Sequence, residues 1–366
     1  MSRIRCFSAI AAMFLASVTF IGSAQALALK GAAGFTNQRT GQQTLALTYD
    51  TGLMEFRSWT GALLASRTGL GTITAIDSYR SRTAATPRLF VGSSDGTLRL
   101  INPTAITSDV KRIKLPGSIT YIWTWEKYVW VATKDTLGKG TLYLLDNATL
   151  ATVKSRAFTG AIKFITDVEW YVNDQWGEGV AVASTDGGGT VSIVRIVYTD
   201  STVTGLSSVR TPRSGLGTIN GLGAADIDDD GNSEIVVSSN SNSGCIIILR
   251  ASSLATSIGL AKSLGTTGLV DISNNVDIYG MPMITLALAN GYVRTFDVND
   301  DGDGTFTIAG FSQRSGFGRV AALRYDEIYG TGCDLVTLVS TDNTKAAFHV
   351  TGESVTTDLT LFRVAQ

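Results

Sequence analysis

Short runs of β-branched and aromatic residues, separated by polar turns that carry glycine, recur along the whole chain. The clearest are Leu89-Phe90-Val91, Val129-Trp130-Val131, Val180-Ala181-Val182, Ile235-Val236-Val237, Ile284-Thr285-Leu286 and Leu335-Val336-Thr337. Turns such as Ser93-Ser94-Asp95-Gly96 and Ala289-Asn290-Gly291 follow them, and each leads into another strand-like run, as in Thr97–Leu100 and Tyr292–Phe296. No long segment has the 3.6-residue period of an amphipathic helix, so the pattern predicts an all-β chain.

The runs belong to a repeat. Thr68-Gly69-Leu70-Gly71, Ser214-Gly215-Leu216-Gly217 and Ser315-Gly316-Phe317-Gly318 each lead into a strand with an aliphatic residue two places on. Weaker copies start at Gly117, Gly160 and Gly268, and one more unit fits ahead of residue 70. Each unit of about 49 residues holds four strand-like runs, which is the content of one propeller blade. The expectation is a seven-bladed β-propeller of four-stranded blades, with six or eight blades as alternatives. It occupies residues 27–366, with blades starting near 28, 71, 117, 160, 217, 268 and 318. The closing run, Leu359 to Val364, is expected to help complete the ring.

Residues 1–26 read as a separate element. Arg3 and Arg5 precede an apolar stretch from Phe7 to Ile21, and Ala24-Gln25-Ala26 forms a small-x-small cleavage site. This is the plan of a secretory signal. It places the mature chain in the periplasm or outside the cell, in a bacterial setting. No later run is long and apolar enough to span a membrane. Blade geometry puts Cys245 and Cys333 on opposite faces, so both are expected unpaired.

Composition narrows the chemistry. The net charge is −1 with 17% charged residues, and there is no basic block, which argues against nucleic acid. The 44% apolar share suits strands covered on both faces. A single histidine, His349, leaves no multi-histidine metal site and no visible Ser/Cys/Asp constellation. Ser184 to Gly189 reads as a hairpin turn rather than a phosphate loop, because it lacks the Lys-Ser/Thr ending.

The sharpest motif is Asp226-Ile227-Asp228-Asp229-Asp230-Gly231-Asn232-Ser233-Glu234. Acidic side chains at positions 1, 3, 5 and 9 of a tight loop, with glycine at 6, can converge on one hard cation such as Ca²⁺. Without a cation, carboxylates this close repel one another. A second acidic stretch, Asp297 to Gly304, places Asp297, Asn299, Asp301 and Asp303 at similar spacing and lacks an acid at its ninth position. It is read as a further candidate Ca²⁺ loop or a plain acidic hairpin.

The first loop, followed at once by Ile235-Val236-Val237, resembles the FG-GAP/VCBS repeats of integrin-α-like propellers. The resemblance implies seven blades and Ca²⁺ in the loop joining the first two strands of some blades. By position it makes Asp226, Asp228, Asp230 and Glu234 side-chain ligands and Asn232 a backbone ligand.

Five of six tryptophans fall in the third and fourth units. Trp125, Trp170 and Trp176 flank loops on the calcium face and are candidates for stacking on a sugar or a partner side chain. The function expected is an exported, non-catalytic, calcium-stabilised module binding a protein or glycan partner. The alternatives are a polysaccharide-acting enzyme on a propeller scaffold and a periplasmic envelope-assembly scaffold.

Overall fold

The structure is a computed structural model that describes residues 28–37, 42–58, 62–79, 87–125, 127–172, 175–228, 230–254, 257–273, 283–300, 306–315, 320–328, 333–340, 346–350 and 360–362. Within these the regular secondary structure is all strand apart from two single 3₁₀ turns, Asp186–Gly188 and Ser241–Ser243. No helix among the described residues is long and apolar enough to cross a membrane.

The described strands form seven four-stranded antiparallel sheets, each built from four consecutive strands. The first holds β1 (Leu29–Asn37), β2 (Gln42–Tyr49), β3 (Met54–Ser58) and β4 (Leu63–Arg67). The second holds β5 (Ile73–Tyr79), β6 (Arg88–Ser93), β7 (Thr97–Ile101) and β8 (Asp109–Lys114). The third holds β9 (Ser118–Trp125), β10 (Tyr128–Lys134), β11 (Gly140–Asp146) and β12 (Thr152–Phe158). The fourth holds β13 (Ile162–Val172), β14 (Gln175–Ser184), β15 (Thr190–Thr199) and β16 (Thr202–Ser208). The fifth holds β17 (Ile219–Ala225), β18 (Glu234–Ser239), β19 (Cys245–Arg250) and β20 (Ser257–Lys262). The sixth holds β21 (Thr267–Ser273), β22 (Met283–Leu288), β23 (Val293–Asp300) and β24 (Phe306–Arg314). The seventh holds β25 (Val320–Ile328), β26 (Cys333–Ser340), β27 (Ala346–Val350) and β28 (Thr360–Phe362).

The first strand of each sheet touches the first strand of the next, from β1 through β5, β9, β13, β17 and β21 to β25, and β25 touches β1. The sheets are therefore blades around an axis, and the fold is a β-propeller. The expectation that the last run completes the ring is corrected: among the described residues β28 pairs only with β27, at the outer edge of its blade. Closure comes from packing of β1 against β25 and β26.

Burial explains why the strand runs were visible. The second strands β6, β10, β18 and β22 are buried almost throughout, because neighbouring blades cover both faces. They need continuous apolar sequence. The outer strands β4, β8, β12 and β16 alternate or are mostly exposed. Polar ties join some of them across blades, such as Arg67 to Asp109 at 2.7 Å and Arg156 to Ser208 at 2.6 Å.

The recurring Leu-Gly joins one blade to the next. The Leu70 amide donates to the Gly52 carbonyl at 3.2 Å, and the Leu216 amide to Gly189 at 3.1 Å. The backbones approach so closely that a Cβ on Gly52, whose φ is 78°, would lie 2.5 Å from the Gly71 carbonyl oxygen. Only glycine fits there.

Every first strand carries a bulge within its first few residues. Register shifts lie between Leu29 and Gly31, Ile73 and Ala75, Ile162 and Phe164, Ile219 and Gly221, Thr267 and Val270, and Val320 and Ala322. The matching step in β9 lets Thr133 pair with Ile119 and Ala132 with Tyr121, skipping Thr120. A bulge adds one residue and re-aims its side chain.

Candidate functional site

The acidic loop spans the gap between β17 and β18 in the fifth blade. Ala225 ends β17 and pairs with Glu234, which opens β18 and pairs in turn with Arg250. Glu234 is thereby held in a central position and is fully buried. The loop turns at Gly231, φ 82°, whose amide donates to Asp226 Oδ2 at 2.9 Å.

Two anchors fix the loop to flanking blades. Ile227 packs into a core cluster with Val270, Ile272, Phe296 and Val298 of the sixth blade. On the other side Ser233 exchanges bonds with Glu169 of β13. Its amide donates to the Glu169 carbonyl, and its Oγ accepts the Glu169 amide, each at 2.9 Å. Asn232 Oδ1 accepts the Tyr171 amide at 2.7 Å.

One carboxylate oxygen from each of Asp226, Asp228 and Glu234 lies within 4.8 Å of the others. Glu234 Oε2 accepts the Ile227 amide at 3.0 Å, while its Oε1 and Asp228 Oδ1 are buried with no hydrogen-bond donor among the described residues. Arg250 sits 3.7 Å from Asp228 Oδ2 and offsets part of the charge. Burial, reinforced by the neighbouring aspartates, pushes the Glu234 carboxyl up to about 8. Burial and Asp230 likewise push Asp228 up, against Arg250. A buried acid with an unsatisfied oxygen among like charges is costly unless a proton or a cation joins it. The oxygen-only donor set suits a hard divalent ion.

The structure divides the five residues assigned to this loop. Asp226, Asp228 and Glu234 come together. Asp230 is exposed and its Oδ1 accepts both the amide and the Nδ2 of Asn232, at 2.7 and 2.9 Å. Asn232 uses its side chain to hold the neighbouring blade. Its side chain is a strut, which spacing alone did not reveal.

The second acidic stretch is arranged differently from a loop at its start. β23 continues through Asp300, with Asp297 paired to Ala309 and Asn299 to Thr307. The side chains of Asp297 and Asn299, and all of Asp301 and Asp303, lie outside the described residues.

The aromatic candidates also separate. Trp170, expected at the surface, is 5% exposed and packs in a core cluster with Val168 and Ile193. Its indole covers Gly177, where a Cβ would fall 2.2 Å from Nε1. Trp125 is half-buried against the cluster that contains the fully buried Trp130. The Trp176 side chain lies outside the described residues, although its backbone pairs with Tyr171. Tyr171, which the loop-flanking argument passed over, is 39% exposed. The signal for it was the strand alternation: Val168 and Trp170 point in, so Glu169 and Tyr171 point out.

Cys245 opens β19, is fully buried and has a free thiol. Cys333 opens β26 rather than lying in the loop before it, and its side chain, like that of His349 in β27, lies outside the described residues.

No family model and no curated protein matches the sequence. Solved structures do share the fold. The crystal structure of BBS1N in complex with ARL6DN aligns with a TM-score of 0.65 at 14% identity, over 91% of this chain and 95% of that one. The WD40 β-propeller domain of Doa1 gives 0.57 at 13% identity, over 87% and 91%. The computationally designed Ika8 protein gives 0.56 at 11% identity, over 89% and 97%.

Proposed function

We propose that this chain is an exported, non-catalytic binding module of the FG-GAP/VCBS kind, a seven-bladed propeller whose fifth blade holds Ca²⁺ and whose loop face engages a protein or glycan partner. The observation that carries the reading is the pair of buried oxygens, Glu234 Oε1 and Asp228 Oδ1, gathered with Asp226 and left without donors. Asp226, Asp228 and Glu234 would hold the ion, which supplies charge neutralisation and no reaction step. The loop they form is bonded directly to the strand end that exposes Tyr171, so the ion would rigidify a surface aromatic group. Rigid aromatic side chains are common anchors in binding surfaces.

The BBS1N propeller, similar in fold, was solved in complex with another protein, which is the use proposed for this scaffold. Fold alone does not carry function. The test is a glycan array and an envelope pull-down, each run in Ca²⁺ and in chelator. One partner captured in Ca²⁺, and lost in chelator and with Tyr171→Ala, supports the reading. Turnover of a polysaccharide would overturn it.

A further inference from the structure

The seven bulges described above lie at one end of the central channel, where the first strands begin. The acidic loop leaves β17 at its far end, so this mouth is on the opposite face. A cavity of about 210 Å³ fills it, lined by the bulged residues Lys30, Thr74, Thr120, Lys163 and Ala321 together with wall residues further along the same strands. Bulges thus turn alternate strand positions into a ring aimed at the axis.

The cavity carries two lysines against one acid. The lysines, Lys30 and Lys163, are both exposed, and neither takes part in an ion pair among the described residues. They stand on the first and fourth blades, across the mouth from one another. Asp271 is the acid of the same cavity, and its Oδ1 already accepts the Ile272 amide at 3.0 Å. Like charges held in a low-dielectric funnel focus a field that draws in an anion. Tyr121 and Phe164, in edge-to-face contact at 5.8 Å, give the wall an aromatic surface. Lys163 also borders a second cavity of about 320 Å³, rimmed by the hydroxyl residues Ser184, Thr185 and Thr218 and by Gly188 and Gly217. The channel cavity is below the ~300–1,000 Å³ of sites for drug-sized ligands, so it suits a single ring.

We infer that this mouth is a binding site for an acidic saccharide unit, with the sugar carboxylate on Lys163 and Lys30 and the ring against Tyr121 and Phe164. A hydroxyl-bearing anionic ring uses the cations, the aromatic wall and the Thr74 and Thr120 hydroxyls of the same cavity together. An acidic peptide would use only the lysines. The site is separate from the acidic loop and does not depend on the Ca²⁺ reading.

The test is calorimetric titration of the whole mature chain with digalacturonate, galacturonate, a neutral galactose disaccharide, tetraglutamate and inorganic phosphate, in chelator and in Ca²⁺. Digalacturonate and galacturonate bind in both buffers, more weakly as salt rises, and Lys163→Met and Lys30→Met each weaken them at least tenfold with unchanged melting. Where a methionine variant melts early, Lys163→Gln replaces it. Equal binding of the neutral sugar, equal binding of tetraglutamate or phosphate, affinity unchanged in the lysine variants, or no binding of the acidic sugars overturns the inference. A preference for the free monosaccharide over the disaccharide assigns the site to a soluble sugar acid, and the reverse to a polysaccharide end.

Discussion

Asn232 Oδ1 accepts the backbone N–H of Tyr171 at 2.7 Å, so a residue of the acidic loop in one blade holds the strand end of the blade before it. Asn232→Ala removes this acceptor. It should lower stability by about 1 kcal/mol, the usual net worth of one hydrogen bond. Urea unfolding measures it. The same variant should weaken partner capture as Tyr171→Ala does, because both act on one surface group. A stability loss with undiminished capture would separate the loop from the binding surface.

Ca²⁺ should raise the melting temperature of the wild-type chain. At free Ca²⁺ 100-fold above Kd, one site adds about 2.7 kcal/mol. Asp226→Asn and Asp228→Asn should remove most of this increment. An identical melting curve in excess chelator and in millimolar Ca²⁺ would sink the metal site.

The pH dependence has a definite sign. In the cation-free fold Glu234 titrates near 8, against 4.5 for an ordinary glutamate. A carboxyl with a raised folded value favours the fold while protonated. Its contribution is complete below pH 4.5 and is lost as pH rises through 8. In chelator, stability should therefore fall across that window. Glu234→Gln should flatten this fall and abolish the response to Ca²⁺. Saturating Ca²⁺ should flatten it in the wild type too, because the ion favours the carboxylate.

Trp130 is fully buried between the third and fourth blades, in one cluster with Leu142, Ile165 and Val182. Trp130→Ala should cost about 3–5 kcal/mol. Trp125→Ala, at a half-buried site on the edge of the same cluster, should cost clearly less. Equilibrium denaturation of the two variants ranks them, and equal losses would contradict the packing described.

Much of the fold was legible because second strands such as β6, β10, β18 and β22 are covered on both faces. Val129-Trp130-Val131 and Ile235-Val236-Val237 had to be apolar without interruption. The Leu-Gly links were visible because their glycines, Gly69, Gly71, Gly215 and Gly217, all take a positive φ that favours glycine. The bulges were harder to see, although they left a trace. Ile73 and Ile76, Ile119 and Ile122, Ile162 and Ile165, and Ile219 and Leu222 are buried pairs spaced by three. An odd spacing within a strand requires an inserted residue, since plain alternation would put the two on opposite faces.

The acidic loop was legible in part. Spacing identified Asp226, Asp228 and Glu234 as partners. It placed Asp230 with them, because spacing carries no information about the blade on the other side. In the fold, Asn232 is drawn to Tyr171 and takes Asp230 outward with it. Trp170 was read as a surface group from its nearness to a loop. Strand alternation decides the matter instead, and it buries Trp170 and exposes Tyr171.

Every sheet is made of four strands that follow one another in sequence, and β1 meets β25 and β26 by contact alone. Among the described residues no hydrogen-bonded strand crosses that junction. Each blade can therefore fold from its own stretch of chain, with short loops to close and little waiting for distant partners. The last event is the meeting of the first blade with the seventh. Unlike the other junctions, it joins blades that are not consecutive in the chain. Pulling on the two ends of the chain would part it first and leave an open arc of intact blades.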